Sequence, residues 1–428
     1  MTVALPIVLL FVLLLAGVPV AFGLLAVAIV GLYLIGGGPT LVLGILNTAP
    51  LSAISSYELL TIPMFILMAN FIVIAGIAED LFKAATVWTG RIRGGLAVGT
   101  ALVGAIFGAV CGSSAAAAAT LSATTLPAMD RRGYDKPFSS GVVAISGTLA
   151  MLIPPSILVL IYAIIAEASI GRLLVATILP SMVVAATIIL TVLLLVWHNP
   201  ALAPKGDASP LIEKIRALKI AGPMIALIAM VMGLIYLGVA TPTEASGLGA
   251  IGALAIALLY RRMTWATLWD ALLRTAGTSA MILAIILGAK IFGYFITMTQ
   301  ITQSLIIFVG GLDLAPWMIL ALVILLYLIL GAFMDSIAII ILTVPIILPM
   351  MVSIGYDPIF FGVIMIIVIE IGLVTPPFGI ISFIVAKTSG RPIGQVFRGV
   401  WPHVLTHLVA VLILCLFPQI ILWLPAQM

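Results

Sequence analysis

Long apolar runs recur from end to end of this 428-residue chain, separated by short polar joins. A bilayer-crossing helix needs about 20 apolar residues. On that measure the first half predicts spans at 3–16, 19–35, 59–77 and 173–197, a bent pair within 95–129 and a broken helix over 138–167. The second half predicts spans at 220–238, 242–260, 277–296 and 402–424, a bent pair within 315–351 and a broken helix over 358–386. Segments 39–57, 79–93, 262–276 and 298–313 read as amphipathic or irregular pieces at the interface. The longest polar stretch, Trp197–Lys219, is the natural join between two halves.

The halves repeat one another. LPAMDRRGYDKPFSSGVVAISGTLAMLIPPS (Leu126–Ser156) returns as LPMMVSIGYDPIFFGVIMIIVIEIGLVTPPF (Leu348–Phe378). Pro127 pairs with Pro349, Gly133-Tyr134-Asp135 with Gly355-Tyr356-Asp357, and Pro154-Pro155 with Pro376-Pro377, each 222 positions apart. Upstream, Pro19 and Pro242 match at 223. Paired membrane halves whose apolar segments are interrupted by Gly and Pro point to a transporter. The domain reading is a first repeat over 1–197, a cytoplasmic linker over 198–219 and a second repeat over 220–428.

Composition agrees. Hydrophobic residues make up 64% and charged residues 7%, against roughly 25% charge in soluble domains. No soluble domain of useful size remains, and the net charge of +4 carries no nucleic-acid signal. The first basic residue is Lys83, so the N-terminus has no positive n-region, and 3–16 reads as a helix that stays. Cys111 and Cys415 lie far apart in apolar stretches and suggest no disulfide framework.

The positive charges orient the spans. With the N-terminus outside and each bent pair re-entrant, the inside loops hold 16 of the 18 basic residues, leaving Arg172 outside and Lys290 within a span. The loop at Arg131, Arg132 and Lys136 is then inside, and its repeat partner Ser353–Pro358, without Lys or Arg, is outside. Equivalent loops on opposite faces mean inverted-topology repeats. The fold class expected is therefore an all-α polytopic membrane protein of two inverted repeats, each with a re-entrant hairpin and a broken transmembrane helix.

Chemistry is expected at the breaks. Each proline of Pro154-Pro155 lacks an N–H and crowds the carbonyl four residues earlier. Carbonyls near Ala150 and Met151 should lose their helical donors, and Ile153 is biased off helical geometry. Pro376-Pro377 should act likewise on Gly372, Leu373 and Thr375. In hydrocarbon such groups need partners within the protein, and unwound carbonyls that ligate Na⁺ are one transporter solution. A simple kink is the competing reading for one pair; two pairs at equivalent positions favour a site. The small-residue run Gly108 to Thr120 suits a hairpin tip, with Gly331 to Ser336 as its counterpart. Close helix packing by small residues is the alternative there.

Few ionisable groups lie within spans: Glu167, Glu244, Lys290, Asp335 and Glu370. Intramembrane charges are functional candidates by default. Glu370 and Lys290 are placed to pair across helices, Glu244 to cap a helix start, and Asp335 to gate or attract a cation. His403 and His407 are four apart, but no Glu or Cys completes a transition-metal set. No nucleophile–base pair or nucleotide loop is present, so no enzyme is expected.

Motifs in order along the chain add a resemblance. They are Gly112-Ser113-Ser114, Ile153-Pro154-Pro155-Ser156-Ile157, Ser169-Ile170-Gly171 and Thr241-Pro242-Thr243-Glu244-Ala245. Gly331 to Asp335, Pro345 to Pro349, Gly355-Tyr356-Asp357-Pro358, Thr375-Pro376-Pro377-Phe378-Gly379 and Pro418 to Pro425 follow. Nearly the whole chain resembles the large membrane subunit (DctM-like) of tripartite ATP-independent periplasmic, or TRAP, transporters. The resemblance implies a Na⁺-driven elevator-type importer of carboxylate-bearing solutes in the bacterial inner membrane. It implies two partners, a periplasmic binding protein and a separate small four-helix membrane subunit, and no organic cofactor. One Na⁺ site would use Gly108, Cys111, Ala150, Ile153 and Pro155; the other Gly331, Gly372, Thr375 and Phe378. Gly112, Ser113, Ser114, Asp335 and Ser336 would be the substrate-facing tips. Ala150 stands where relatives often have glycine, and Glu370 where a neutral polar residue is expected. A stand-alone Na⁺- or H⁺-coupled carboxylate carrier of similar architecture is the alternative reading.

Overall fold

A computed structural model describes residues 4–36, 38–74, 76–206 and 210–428. Residues 1–3, 37, 75 and 207–209 lie outside the described residues; residue 3 belongs to the predicted span 3–16, residue 75 to 59–77 and residues 207–209 to the linker. The described chain is helical, with no strand; an isolated antiparallel bridge joins Arg93 to Lys205.

The first half forms α1 (Ala4–Leu15), α2 (Val20–Gly36), α3 (Pro39–Ile54), α4 (Thr61–Ile74), α5 (Ile77–Thr89), α6 (Gly95–Cys111), α7 (Ser114–Arg131), α8 (Lys136–Thr148), α9 (Ile157–Ile165), α10 (Ile170–Ala176) and α11 (Ile178–His198). The second forms α12 (Leu211–Tyr236), α13 (Pro242–Leu259), α14 (Trp265–Thr299), α15 (Ile301–Gly310), α16 (Pro316–Phe333), α17 (Ser336–Ser353), α18 (Pro358–Gly372), α19 (Ile380–Ser389), α20 (Ile393–Leu416) and α21 (Gln419–Leu422). Among the described residues seven helical stretches are long and apolar enough to cross a membrane, or eight with the bent α12.

The offset of 222 carries through the secondary structure: α7 shifted by it starts and ends with α17, and α8 starts with α18. α6 and α7 form the first hairpin, α16 and α17 the second. The broken helices are α8 with α9, and α18 with α19. Local chemistry sets these limits. Asp135 and Asp357 cap the starts of α8 and α18, and a proline follows early in each helix, where its missing N–H is harmless.

Three boundaries correct the sequence reading. Segment 262–276 is not a separate interfacial piece, because α14 runs unbroken for 35 residues from a Thr264–Thr267 capping box. At about 1.5 Å per residue it is ~52 Å long, well beyond the hydrocarbon core. Its first-repeat counterpart is two helices, α3 and α4, parted at Ser55-Ser56. The predicted span 220–238 starts at Leu211, so the charged end of the join is helical. The predicted span 402–424 runs instead from Ile393 to Leu416 and ends before Pro418.

Two groups of helices share the structure. The arms α2, α3, α4, α13 and α14 pack together, joined by Thr61–Thr243 (2.7 Å) and Asn70–Thr275 (2.9 Å) hydrogen bonds. The hairpins and broken helices pack crosswise: α7 lies on α19, and α17 on α9.

Candidate functional site at the hairpin tips and helix breaks

The first tip turns at Gly112, whose φ of +59° suits a residue without Cβ and whose N–H donates to the Gly108 carbonyl at 3.2 Å. Ser113 caps α7 by accepting the Ala116 N–H at 3.3 Å. At the second tip Asp335 caps α17, accepting the Ile337 N–H at 3.1 Å.

Each tip lies backbone to backbone against the break of its own repeat. A Cβ on Gly108 would fall 2.8 Å from the Cα of Ala150, and one on Gly331 would fall 2.9 Å from the Cα of Gly372. In the second repeat the Gly379 N–H donates to the Ala332 carbonyl at 3.3 Å, and the Phe333 and Phe378 rings pack 5.3 Å apart. The structure thus brings Gly108 to Ala150 and Gly331 to Gly372, and sets Phe378 against Phe333 beside them. Cys111 stays at the tip, its Sγ 3.8 Å from the Ser113 carbonyl. Ile153 lines an apolar cavity of about 400 Å³ with Ala105, Ile106 and Ala109 of α6. Pro155 is buried within the first break.

The prolines do interrupt the helices, but several of the freed carbonyls find donors. Ser156 donates to Met151. Thr375 N–H reaches Gly372 at 2.9 Å, Ile381 N–H reaches Leu373 at 3.1 Å, and the Ser382 hydroxyl reaches Val374 at 2.8 Å. Met151, Gly372 and Leu373, expected to lose their helical donors, are therefore paired by other groups. Among the described residues no hydrogen bond reaches the carbonyls of Ala150, Ile153 or Thr375. The Thr375 hydroxyl donates to Ile371 at 2.6 Å, which leaves its lone pairs open.

Glu370 is the unexpected centre. It is 3% exposed, and its carboxylate accepts the Ser114 hydroxyl at 2.6 Å and the Ser336 hydroxyl at 3.0 Å. These serines are repeat mates, 222 residues apart, one from the tip of each hairpin. The expected Glu370–Lys290 pair does not form. Lys290 instead lines two adjoining cavities of about 260 and 280 Å³, with Glu167 in both and Glu58 in the second. Glu244 caps α13 as expected, in a full capping box with Thr241. His403 and His407 are buried, and among the described residues no hydrogen-bond partner reaches their ring nitrogens.

Sequence reasoning also missed the cross-repeat contacts of Tyr162 and Arg391. Tyr162 donates to the Pro358 carbonyl at 2.6 Å, and Arg391 gathers the Lys136 carbonyl, Ser139, Ser140 and Asp130. The repeat register of Lys136 and Pro358 is the one signal that flags these positions.

The family model described as the tripartite ATP-independent periplasmic transporter, DctM component, matches residues 7–420. The chain belongs to this family. The permease is 35% identical over 370 residues to the C4-dicarboxylate TRAP transporter large permease protein of Pseudomonas aeruginosa, covering 86% of each chain. It is 30% identical over 417 residues to the sialic acid TRAP transporter large permease protein of Vibrio cholerae, covering 96% of each. Among solved structures, the YdaH transporter of Alcanivorax borkumensis matches with a TM-score of 0.62 at 15% identity, over 88% of this chain and 89% of that one. That likeness bears on the fold alone.

Proposed function

We propose that this permease is the large subunit of a Na⁺-coupled importer of carboxylate-bearing solutes. The observation that carries the reading is the backbone contact of each hairpin tip with its own broken helix, Gly108 on Ala150 and Gly331 on Gly372. Small-residue contacts of this kind leave helix ends and unpaired carbonyls of Ala150, Ile153 and Thr375 near each tip, a suitable environment for a hard cation. One Na⁺ site is assigned to Gly108, Cys111, Ala150, Ile153 and Pro155, the second to Gly331, Gly372, Thr375 and Phe378. Gly112, Ser113, Ser114, Asp335 and Ser336 face the substrate. Two named relatives handle solutes that bear carboxylates, which supports the substrate class.

The repeats are assigned to 1–197 and 220–428 about the linker 198–219. Hairpins and broken helices move as one body against the arm bundle of α2, α3, α4, α13 and α14. A periplasmic binding protein delivers solute and a small membrane subunit braces the arms, as the tripartite family description suggests. The positive-inside pattern supports a periplasmic N-terminus, and the family resemblance supports the bacterial inner membrane.

The test is uptake of a radiolabelled carboxylate panel into proteoliposomes holding the permease, its small subunit and its binding protein. Uptake should require both the binding protein and an inward Na⁺ gradient. Thr375→Val should raise the Na⁺ concentration needed for half-maximal uptake. Uptake by the permease alone would point to the stand-alone carrier, and Na⁺-independent uptake would remove the ion sites.

A further inference from the structure

We propose that Glu370, Ser114 and Ser336 form one more Na⁺ site, distinct from the two carbonyl sites and shared by both hairpins. The inference rests on the Na⁺-coupled reading above. Four oxygens are linked here: both carboxylate oxygens of Glu370, with the Ser114 hydroxyl 2.6 Å from one and the Ser336 hydroxyl 3.0 Å from the other. These are hydrogen-bond distances, and they hold oxygens from three separate elements close enough to be re-used as ligands by one small cation once the hydroxyl hydrogens turn away.

The charge on the site calls for a cation. Glu370 is 3% exposed and lies at the end of a buried apolar helix. Among the described residues no Lys, Arg or His is within ion-pair distance of it; the ion pairs found there involve Asp80, Asp130 and Asp270. Two neutral hydroxyls stabilise a buried carboxylate without cancelling its charge, and a carboxyl group in such surroundings is held either protonated or paired with a cation. Asp335, adjacent to Ser336, adds negative potential, while its own carboxylate is engaged in capping α17.

The donor set selects the ion. All ligands are hard oxygens, with no imidazole or thiolate, which excludes a preference for zinc or copper. One carboxylate and two neutral hydroxyls balance a single positive charge, which favours Na⁺ over a divalent ion. To ligate, each hydroxyl rotates its hydrogen away and turns a lone pair inward; the oxygens need not move far.

The site also breaks the repeat symmetry. The first-repeat mate of Glu370 is Thr148, whose hydroxyl donates to the Ile145 carbonyl at 2.7 Å. The carbonyl sites therefore come in pairs, whereas this site exists once, on the contact between the halves. Because its hydroxyls come from opposite hairpins, withdrawal of either tip removes a ligand and loosens the ion.

The experiment is equilibrium binding of radioactive ²²Na⁺ to the purified permease in lipid nanodiscs, without substrate. Wild type should bind one more Na⁺ per chain than Glu370→Gln. Ser114→Ala and Ser336→Ala should each keep the ion count at saturating Na⁺ but weaken one affinity class. In proteoliposomes the Na⁺-to-substrate flux ratio should fall by one in Glu370→Gln. If Glu370→Gln does not fold, the Ser114→Ala/Ser336→Ala double variant takes its place, with the same weakened class expected. Equal ion counts and affinities in wild type and variants overturn this site while leaving Na⁺ coupling intact. A wild type that binds no Na⁺ overturns both.

Discussion

The carbonyls of Lys136 and Pro358 hold the same register position, 222 residues apart, in the first turns of α8 and α18, and each accepts a hydrogen bond from the opposite repeat. At Lys136 the donor is Arg391, 2.9 Å away, which also reaches the hydroxyls of Ser139 and Ser140 at 2.9 and 2.6 Å and the Asp130 carboxylate. At Pro358 the donor is a single phenol, Tyr162, at 2.6 Å, and its ring fills the space above Gly362. A Cβ on Gly362 would fall 2.2 Å from that ring. One end is fastened by a charged fork and the other by an aromatic body with one polar tip. In the proposed orientation the fork lies at the cytoplasmic end, where basic residues are tolerated, and the phenol at the periplasmic end, where the join Ser353–Pro358 has none. In that orientation, repeat topology fixes where a fastening is needed and the side of the membrane decides its chemistry.

The largest effect should come from the charged fork. Arg391 is 8% exposed, and Arg391→Ala would leave several polar groups without their donor. Asp130, whose side chain is 43% exposed, regains water, which moderates the loss. The expected destabilisation is about 3 kcal/mol. Arg391→Lys should recover only part, because an ammonium cannot fork to both Lys136 and Asp130. Thermal unfolding of the purified permease reads both. A wild-type melting curve for Arg391→Ala would show that the fork is decorative and dissolve the contrast.

A smaller effect is expected where the repeats differ by one methyl group. Ala150 sits against Gly108 in the first repeat, but Gly372 sits against Gly331 in the second. A Cβ on Gly372 would lie 2.6 Å from the Gly331 Cα and 2.8 Å from the Leu328 carbonyl. Those are backbone atoms with little room to yield. Gly372→Ala should therefore cost about 2 kcal/mol through overpacking, and should lower Na⁺-driven uptake beyond what the loss of folded protein explains. An unchanged melting temperature and uptake would mean that the second tip gives way as easily as a side chain.

Much of this architecture is legible in the sequence, for a physical reason. Proline pairs and turn glycines constrain the backbone directly, so Pro154-Pro155, Pro376-Pro377 and the two Gly-Tyr-Asp turns mark breaks and joins whatever surrounds them. The hairpin tips follow from small residues at matching offsets. What the sequence conceals is pairing across repeats. Glu370 stands out as an acid among aliphatics, yet nothing along the chain says that it meets Ser114 and Ser336 rather than Lys290. Arg391 and Tyr162 have chemically unrelated repeat mates, Ser169 and Ile384, so comparison of the halves hides them. The continuity of α14 is equally hidden, since Ser55-Ser56 parts two helices where Gly277-Thr278 does not.

The smallest effect is expected at the phenol. Tyr162→Phe keeps the ring that packs on Gly362 and removes only the hydroxyl. The Pro358 carbonyl then loses one neutral donor at the start of α18. A neutral hydrogen bond of this kind contributes about 1 kcal/mol, so the variant should melt slightly below wild type and well above Arg391→Ala. The two positions are separated along the broken helices and share no partner, so the double variant should show the sum of the two losses. A deficit for Tyr162→Phe as large as that for Arg391→Ala would mean that the hydroxyl, not the ring, holds the Pro358 end. The two fastenings would then differ in composition but not in strength, and the side of the membrane would have decided less than the comparison claims.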